Sequence, residues 1–164
     1  MGQVTIRAAD EADWPAMLAI VKPTLAAGET YAVDRDLDDH GIRAFWLMPG
    51  HEVFVAEIDG EIAGTYYLMA NRRGGGAHVA NCGYMTAAAA QGRGIARTMC
   101  LHSLERAKER GFRAMQFNHV VSTNTRAVAL WQSLGFEIVG TLPGAFRHPV
   151  HGYVDSYVMF RSLL

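Results

Sequence analysis

The residues of this chain whose types and spacing can do chemistry begin with Gln91-Gly92-Arg93-Gly94-Ile95-Ala96, between a strand-like run ending near Thr86 and a helical run starting at about Gly94. Two glycines one residue apart let the backbone turn with no Cβ in the way. The first-turn N–H groups of the following helix have no intrahelical acceptor. With the positive end of the helix dipole they make a site for a phosphate or pyrophosphate. Arg93 and Arg97 would add charge beside such an anion. The stretch lacks the Gly-Lys-Ser/Thr ending of a P-loop, and it lacks the third glycine and following acidic residue of a dinucleotide fingerprint, so both motifs are excluded.

Other chemistry-bearing residues are more scattered. Of seven histidines only His148 and His151 are close in sequence. They share a Pro- and Gly-bearing segment with no cysteine nearby, so no metal site is expected. Cys82 and Cys100 have neither Cys-x-x-Cys spacing nor the density of a secreted disulfide scaffold, and read as reduced core thiols of a cytoplasmic protein. Arg147 and His148, in what reads as the last turn, offer a bidentate fork to a substrate carboxylate. Tyr31 lies in the polar-aromatic segment Glu29 to Val33, a loop of the kind that carries recognition on a rigid scaffold.

The whole chain must hold these groups in place. At 164 residues, 50% of them hydrophobic and 19% charged, residues 1–164 read as one globular domain with a substantial core. A formal net charge of -1 and the lack of a long basic run argue against nucleic acid as a partner, leaving small molecules or an exposed peptide end. No apolar run approaches the roughly 20 residues that span a bilayer. Residues 1–6 carry no basic-then-apolar leader, and Ile6 stands where a myristoylation motif needs Ser or Thr.

The periodicities give an order of elements. Val4 to Arg7 alternates as a strand, and Asp10 caps a helix over Glu11 to Ala27 that Pro23 should kink or shorten. A short helix follows within Leu37 to Met48. His51 to Ile58 and Glu61 to Ala70 form a hairpin around Asp59-Gly60, a type I′ turn signal. His78 to Thr86 is the strand that delivers the chain to the glycine loop. Its helix runs to about Arg110, with Gly111 just beyond it. Arg113 to Val120 is a strand, Thr123 or Asn124 caps a helix to Leu134, and Phe136 to Leu142 and Val154 to Phe160 are the last strands. Antiparallel strands come early and strand-helix-strand units late, so the sheet should be mixed with helices on both faces.

That order, with Gln-x-x-Gly-x-Ala directly after the fourth strand, resembles the GNAT acetyltransferase superfamily across essentially the whole chain. A second pattern, Asn124-x-x-Ala127-x-x-Leu130-Trp131-x-x-x-Gly135-Phe136, is similar to the helix and strand that line the thiol end of CoA in that superfamily. The resemblance implies an α/β (α+β) fold with a mixed, mostly antiparallel sheet of about seven strands. It also implies acetyl-CoA as cosubstrate, an amine acceptor and a possible homodimer. A narrower likeness runs through His78-x-x-Asn81-x-Gly83-Tyr84, Phe117-Asn118-x-Val120-x-x-x-Asn124 and Trp131-x-Ser133-Leu134-Gly135-Phe136. These resemble the branch that acetylates azetidine-2-carboxylate and related proline analogues. It implies that Asn81 and Asn118 meet an amino-acid substrate and that Asn124 meets the thioester end.

Acetyl transfer to an amine needs a held thioester, a neutral amine, a donor for the tetrahedral oxyanion and a proton for the thiolate. The N–H groups of residues 92 to 96 would hold the pyrophosphate. By the GNAT likeness a backbone N–H near Met85 and Thr86 would face the thioester carbonyl, worth about 3 kcal/mol as an oxyanion donor. Many superfamily members use a glutamate on the fourth or fifth strand to deprotonate the amine, and this chain has no acidic residue between Glu61 and Glu105. His78, His119, or a water held by Asn81 and Asn118 must serve instead. Strand alternation sends Asn118 and His119 to opposite faces, and the asparagine match selects Asn118 for the cleft. Trp131 stands where the superfamily's usual tyrosine acid would be, leaving Tyr84 as a substitute acid or substrate-shaping residue. The leading expectation is an N-acetyltransferase of a small amine, an amino acid or analogue, by direct attack. The competitors are a protein N-terminal or lysine acetyltransferase and a domain that binds acyl-CoA without turnover.

Overall fold

A computed structural model describes residues 2–164. Met1, part of the leader and myristoylation reading, lies outside them. The strands are β1 (Thr5–Ala8), β2 (Glu52–Ile58), β3 (Glu61–Ala70), β4 (Val79–Thr86), β5 (Ala114–Val121), β6 (Glu137–His148) and β7 (Gly152–Ser162). The helices are α1 (Trp14–Ala27), α2 (Asp39–Trp46), α3 (Ile95–Glu109) and α4 (Thr125–Ser133). The sheet runs β1-β2-β3-β4-β5-β7-β6, and every neighbouring pair is antiparallel except β4 and β5. This is the mixed, mostly antiparallel seven-stranded arrangement that the element order implied.

Alternation along the strands splits the core between two faces. On one side Phe54, Tyr66, Leu68, Met99, Met115 and Trp131 pack with α3 and α4. On the other, Met17, Val21, Trp46, Val55, Tyr67 and Met85 pack with α1 and α2. The Trp46 indole N–H donates to Thr65 Oγ1 at 3.1 Å, and that hydroxyl donates to the Phe54 carbonyl at 2.8 Å. The buried polar atoms of this second layer are thereby satisfied. Asp59 and Gly60 both have positive φ, 53° and 81°, as a type I′ hairpin turn requires.

Three expectations need correction. Pro23 does not shorten α1, which continues to Ala27 and ends on left-handed Gly28. The carbonyl that loses a donor belongs to exposed Ala19, where water replaces the missing N–H at little cost. The segment Glu11–Asp13 is a 3₁₀ turn, capped reciprocally by Asp10 and Asp13. Pro143 to His148 is not a loop but the second half of β6. The strand absorbs its irregularity between Leu142 and Phe146, where Gly144 has φ 58° and its N–H donates to Asp155 Oδ1 at 2.9 Å.

The feature that matters most lies in the middle of the sheet. β4 and β5 pair only at Val79↔Ala114 and Ala80↔Met115 and then diverge. Beyond that point the backbone of β4 has no strand on its β5 side, and a cleft of about 730 Å³ opens there.

Candidate active site

At one end of the cleft is the glycine loop. Gly92 and Gly94 both have φ 77°, a conformation that a side chain strains, and a Cβ at either would meet nothing within 4 Å. The loop is therefore open above two left-handed residues. The first helical bond of α3 runs from Thr98 N–H to the Gly94 carbonyl at 3.0 Å, so the N–H groups of Ile95, Ala96 and Arg97 precede the ladder. Ile95 is 1% exposed and anchors the start of α3 on β3, where Gly64 leaves it room: a Cβ there would lie 2.8 Å from Ile95 Cγ2. Gln91, Gly92, Gly94, Ile95, Ala96 and Arg97 line the cleft. Arg93 is exposed and is not among the lining residues, so only its general charge remains for an anion. Arg97 donates to Ser133 Oγ at 3.2 Å, tying α3 to α4.

The far wall belongs to α4 and β5. Asn124, Ala127, Leu130 and Trp131 line the cleft, as the second pattern implied. Asn124 occupies the N-cap of α4, but its side chain makes no capping bond. Trp131 packs at 5.1 Å from both Tyr84 and Phe117. Arg126 also lines the cleft and escaped the sequence reading, although it sits between two motif residues.

β4 contributes its backbone. In an antiparallel ladder the hydrogen-bonded pairs alternate. Asn71 N–H donates to the Val79 carbonyl and Ala87 N–H to the Ala63 carbonyl, both at 2.8 Å, at the two ends of an unbroken β3–β4 register. The odd-numbered residues of β4 are thus the ones bonded to β3. The Met85 N–H belongs to that ladder, and the amides of Tyr84 and Thr86 face the gap. This moves the expected oxyanion donor one residue from Met85, whose side chain still lines the cleft. The Tyr31 hydroxyl fits the same phase, donating to the Tyr84 carbonyl at 2.9 Å and tying the Glu29–Val33 loop across the opening. Burial pushes the Tyr31 phenol well above its ordinary pKa.

Tyr84 itself is turned away. Ser103 Oγ donates to the Cys100 carbonyl at 2.7 Å, so at 2.6 Å the Tyr84 hydroxyl is the donor to Ser103. Desolvation holds that phenol well above its usual range. Its ring forms part of the wall, and its hydroxyl is not placed to protonate a thiolate in the cleft.

Asn118 and His119 overturn the alternation argument. The β5–β7 register shifts between Phe117 and Val120, so two β5 residues stand where β7 has one. Asn118 and His119 occupy this bulge, and both line the cleft along with Asn81. Asn118 Nδ2 donates to Asn71 Oδ1 at 2.6 Å, and its Oδ1 accepts from Gln116 Nε2 at 2.9 Å. Asn71 was not singled out from sequence, since one asparagine at a strand end carries no signal of its own. Desolvation lowers the His119 pKa below its ordinary value of 6.5, which favours the neutral ring. His78 is exposed ahead of β4 and does not reach the cleft. Arg147 does not reach it either. It is exposed on β6 and lines a separate recess with Arg35 and His148.

Among the described residues no Asp or Glu lines the cleft. No three of His, Cys, Asp and Glu gather as a metal site among them, and no helix is long and apolar enough to cross a membrane. The cleft offers amide donors at both ends of its β4–α3 wall, neutral polar side chains opposite, and an aromatic floor. Such an arrangement can receive an anionic group at its α3 end and polarise a carbonyl at its β4 end.

A mixed sheet split between its fourth and fifth strands, with a helix N-terminus at the split, is the architecture that the sequence resemblance implied. Comparison with known proteins is specific: the model of the Acetyltransferase (GNAT) family matches residues 12–136, and this chain belongs to that family. It is therefore an acetyl-CoA-dependent N-acetyltransferase. It is similar to a solved GCN5-related N-acetyltransferase from Kribbella flavida, at 48% identity and a TM-score of 0.92 over 97% of each chain. N-acetyltransferase aca1 of Schizosaccharomyces pombe is 32% identical over 80% of this chain and 71% of its own length. A solved ribosomal-protein-alanine N-acetyltransferase from Brucella melitensis is 31% identical, with a TM-score of 0.82, over 96% of this chain and 99% of its own.

Proposed function

We propose that this protein transfers the acetyl group of acetyl-CoA to the amine of a small molecule, an amino acid or analogue, by direct attack in a ternary complex. One observation carries the reading: Asn81, Asn118, His119 and Tyr31 line the cleft, with the Tyr31 hydroxyl bonded to the Tyr84 carbonyl, and among the described residues no acidic side chain lines it. A groove for a basic peptide or a lysine side chain would be helped by carboxylates. Neutral amides suit the carboxylate and amine of a small zwitterion better. The likeness to proline-analogue N-acetyltransferases, carried by Asn81, Asn118 and Asn124, supports the same choice.

In this reading the α3 amides and Arg97 hold the pyrophosphate, and α4 residues Asn124, Ala127 and Trp131 flank the pantetheine. The Tyr84 or Thr86 amide stabilises the oxyanion. The thiolate leaves with a proton from water, because a thiol of pKa about 8.5 is a fair leaving group. The protein N-terminal reading keeps a place because the similar Brucella melitensis protein is a ribosomal-protein-alanine N-acetyltransferase. Thiol release from acetyl-CoA, measured with amino acids, azetidine-2-carboxylate, simple amines and Ala-terminated peptides, separates the two. Turnover confined to free amino acids or imino acids is expected. Turnover confined to peptides would replace the proposal with the second reading.

A further inference from the structure

We propose that His119 is the group that takes the proton from the attacking amine. The inference rests on the acetyl-transfer reading and on four observations.

The first is position. β4 and β5 part beyond Ala80 and Met115, and His119 lines the cleft that opens there together with Tyr84. Tyr84 carries one of the two amides that face that gap. The second is orientation. The bulge at Asn118 and His119 turns a residue that strict alternation would remove from the cleft back into its wall, and Phe146 holds the ring edge-on at 5.9 Å.

The third concerns the two ring nitrogens. His119 Nδ1 is enclosed without a hydrogen-bond partner. Nε2 has no protein partner either but is not among the enclosed atoms, so it is the nitrogen with access to the cleft. A proton from the substrate goes to Nε2. The fourth is exclusion. Among the described residues the cleft has no carboxylate. Its other ionisable side chains are Arg97 and Arg126, which are donors with no acceptor atom, and Tyr31, Tyr67, Tyr84 and Cys82, whose pKa burial raises. Desolvation is the one cause acting on His119, so no charged neighbour holds its proton.

The step balances simply. The ammonium loses a proton to Nε2, directly or through one water. The freed lone pair forms the C–N bond, and the C–S bond breaks as the tetrahedral oxyanion collapses. Coenzyme A leaves as thiolate, the adduct nitrogen gives up its second proton through water to that thiolate, and the imidazolium returns the first proton to solvent through the open cleft. Asn118, held by Asn71 and Gln116, has no basic nitrogen and positions the acceptor.

The test is the pH dependence of His119→Ala and His119→Gln against wild type, using the best acceptor of the panel, with acetyl-CoA affinity measured by calorimetry. At pH 7 the expected result is a loss of kcat of about 10²-fold, in the usual range for general-base catalysis, with acetyl-CoA affinity within about twofold. The loss should shrink as pH rises through the amine's own pKa. The wild-type inflection from His119, below its ordinary value of 6.5, should be absent from both variants, whose rate follows the amine's own ionisation instead. Variants within about threefold of wild type at pH 7, or with a loss constant across pH, would overturn the assignment. If wild type acetylates nothing in the panel, the acceptor reading fails on its own. His119 is then judged by an imidazole ¹⁵N titration: an unprotonated Nε2 at pH 7 supports the proposal, and a protonated one overturns it.

Discussion

Single side chains in this protein are held by specific, short hydrogen bonds, and two of these make quantitative demands. Asn118 is clamped on both amide atoms, by Asn71 and by Gln116. Asn118→Ala should therefore lower kcat more than acetyl-CoA affinity. Asn71→Ala, which touches no substrate in this account, should reproduce part of the kcat loss by freeing Asn118, and should cost about 1–3 kcal/mol of stability for the orphaned amide. Steady-state kinetics with calorimetry checks the pair, and equal loss of turnover and cofactor affinity would move Asn118 to the cofactor side. Far from the cleft, Arg7 donates to both oxygens of Asp13 at 2.7 Å, and this hydrogen bond is the largest cause holding the Asp13 carboxyl below its usual 3.8. A depressed folded pKa gives stability that is present above the unfolded value and is lost as pH falls through the folded one. Asp13→Asn should thus lower Tm at pH 7, and the difference should close as the pH falls through the lowered folded-state pKa of Asp13. A gap that persists unchanged there would assign the effect to the Asp10–Asp13 cap instead.

Between residue and fold, elements explain which parts of the site could be read in advance. The glycine loop was legible because its requirement is local: φ 77° at Gly92 and Gly94 and an uncapped helix start follow from residue type and order. The hairpin at Asp59-Gly60 was legible for the same reason. The bulge in β5 was not, since it arises from the pairing of β5 with β7 and leaves no mark in Asn118-His119 themselves. That one non-local irregularity changed the assignment of His119. The ladder phase of β4, which hands the gap-facing amide to Tyr84 and Thr86 rather than Met85, is equally a property of a strand pair. Arg147 was misplaced because β6 continues through Pro143 and Gly144 instead of ending there. At this scale the loop makes its own prediction. Gly92→Val puts a β-branched residue at positive φ with no atom within 4 Å to clash against, so the strain is confined to the loop. Acetyl-CoA affinity should fall at least tenfold while Tm changes little, and calorimetry showing unchanged affinity would remove the loop from the cofactor site.

Across the whole molecule, function follows from a sheet that stops pairing in its middle. The single parallel junction ends after two residue pairs, and the opened edges supply backbone donors on one wall and side chains on the other. α1 with α2 and α3 with α4 pack the two faces and keep the opening fixed. Among the described residues the cleft holds no accessible thiol. Cys82 and Cys100 are buried, and burial pushes the Cys100 thiol up to about 11 and the Cys82 thiol further. Neither can carry an acetyl group as a thiolate at neutral pH. The proposed direct attack requires acceptor and acetyl-CoA to be bound together, and initial-rate kinetics of thiol release, varying both substrates, addresses this most directly. The account predicts saturation in both and intersecting double-reciprocal lines, with no acetylated protein by mass. Parallel lines accompanied by an acetyl-enzyme would contradict it.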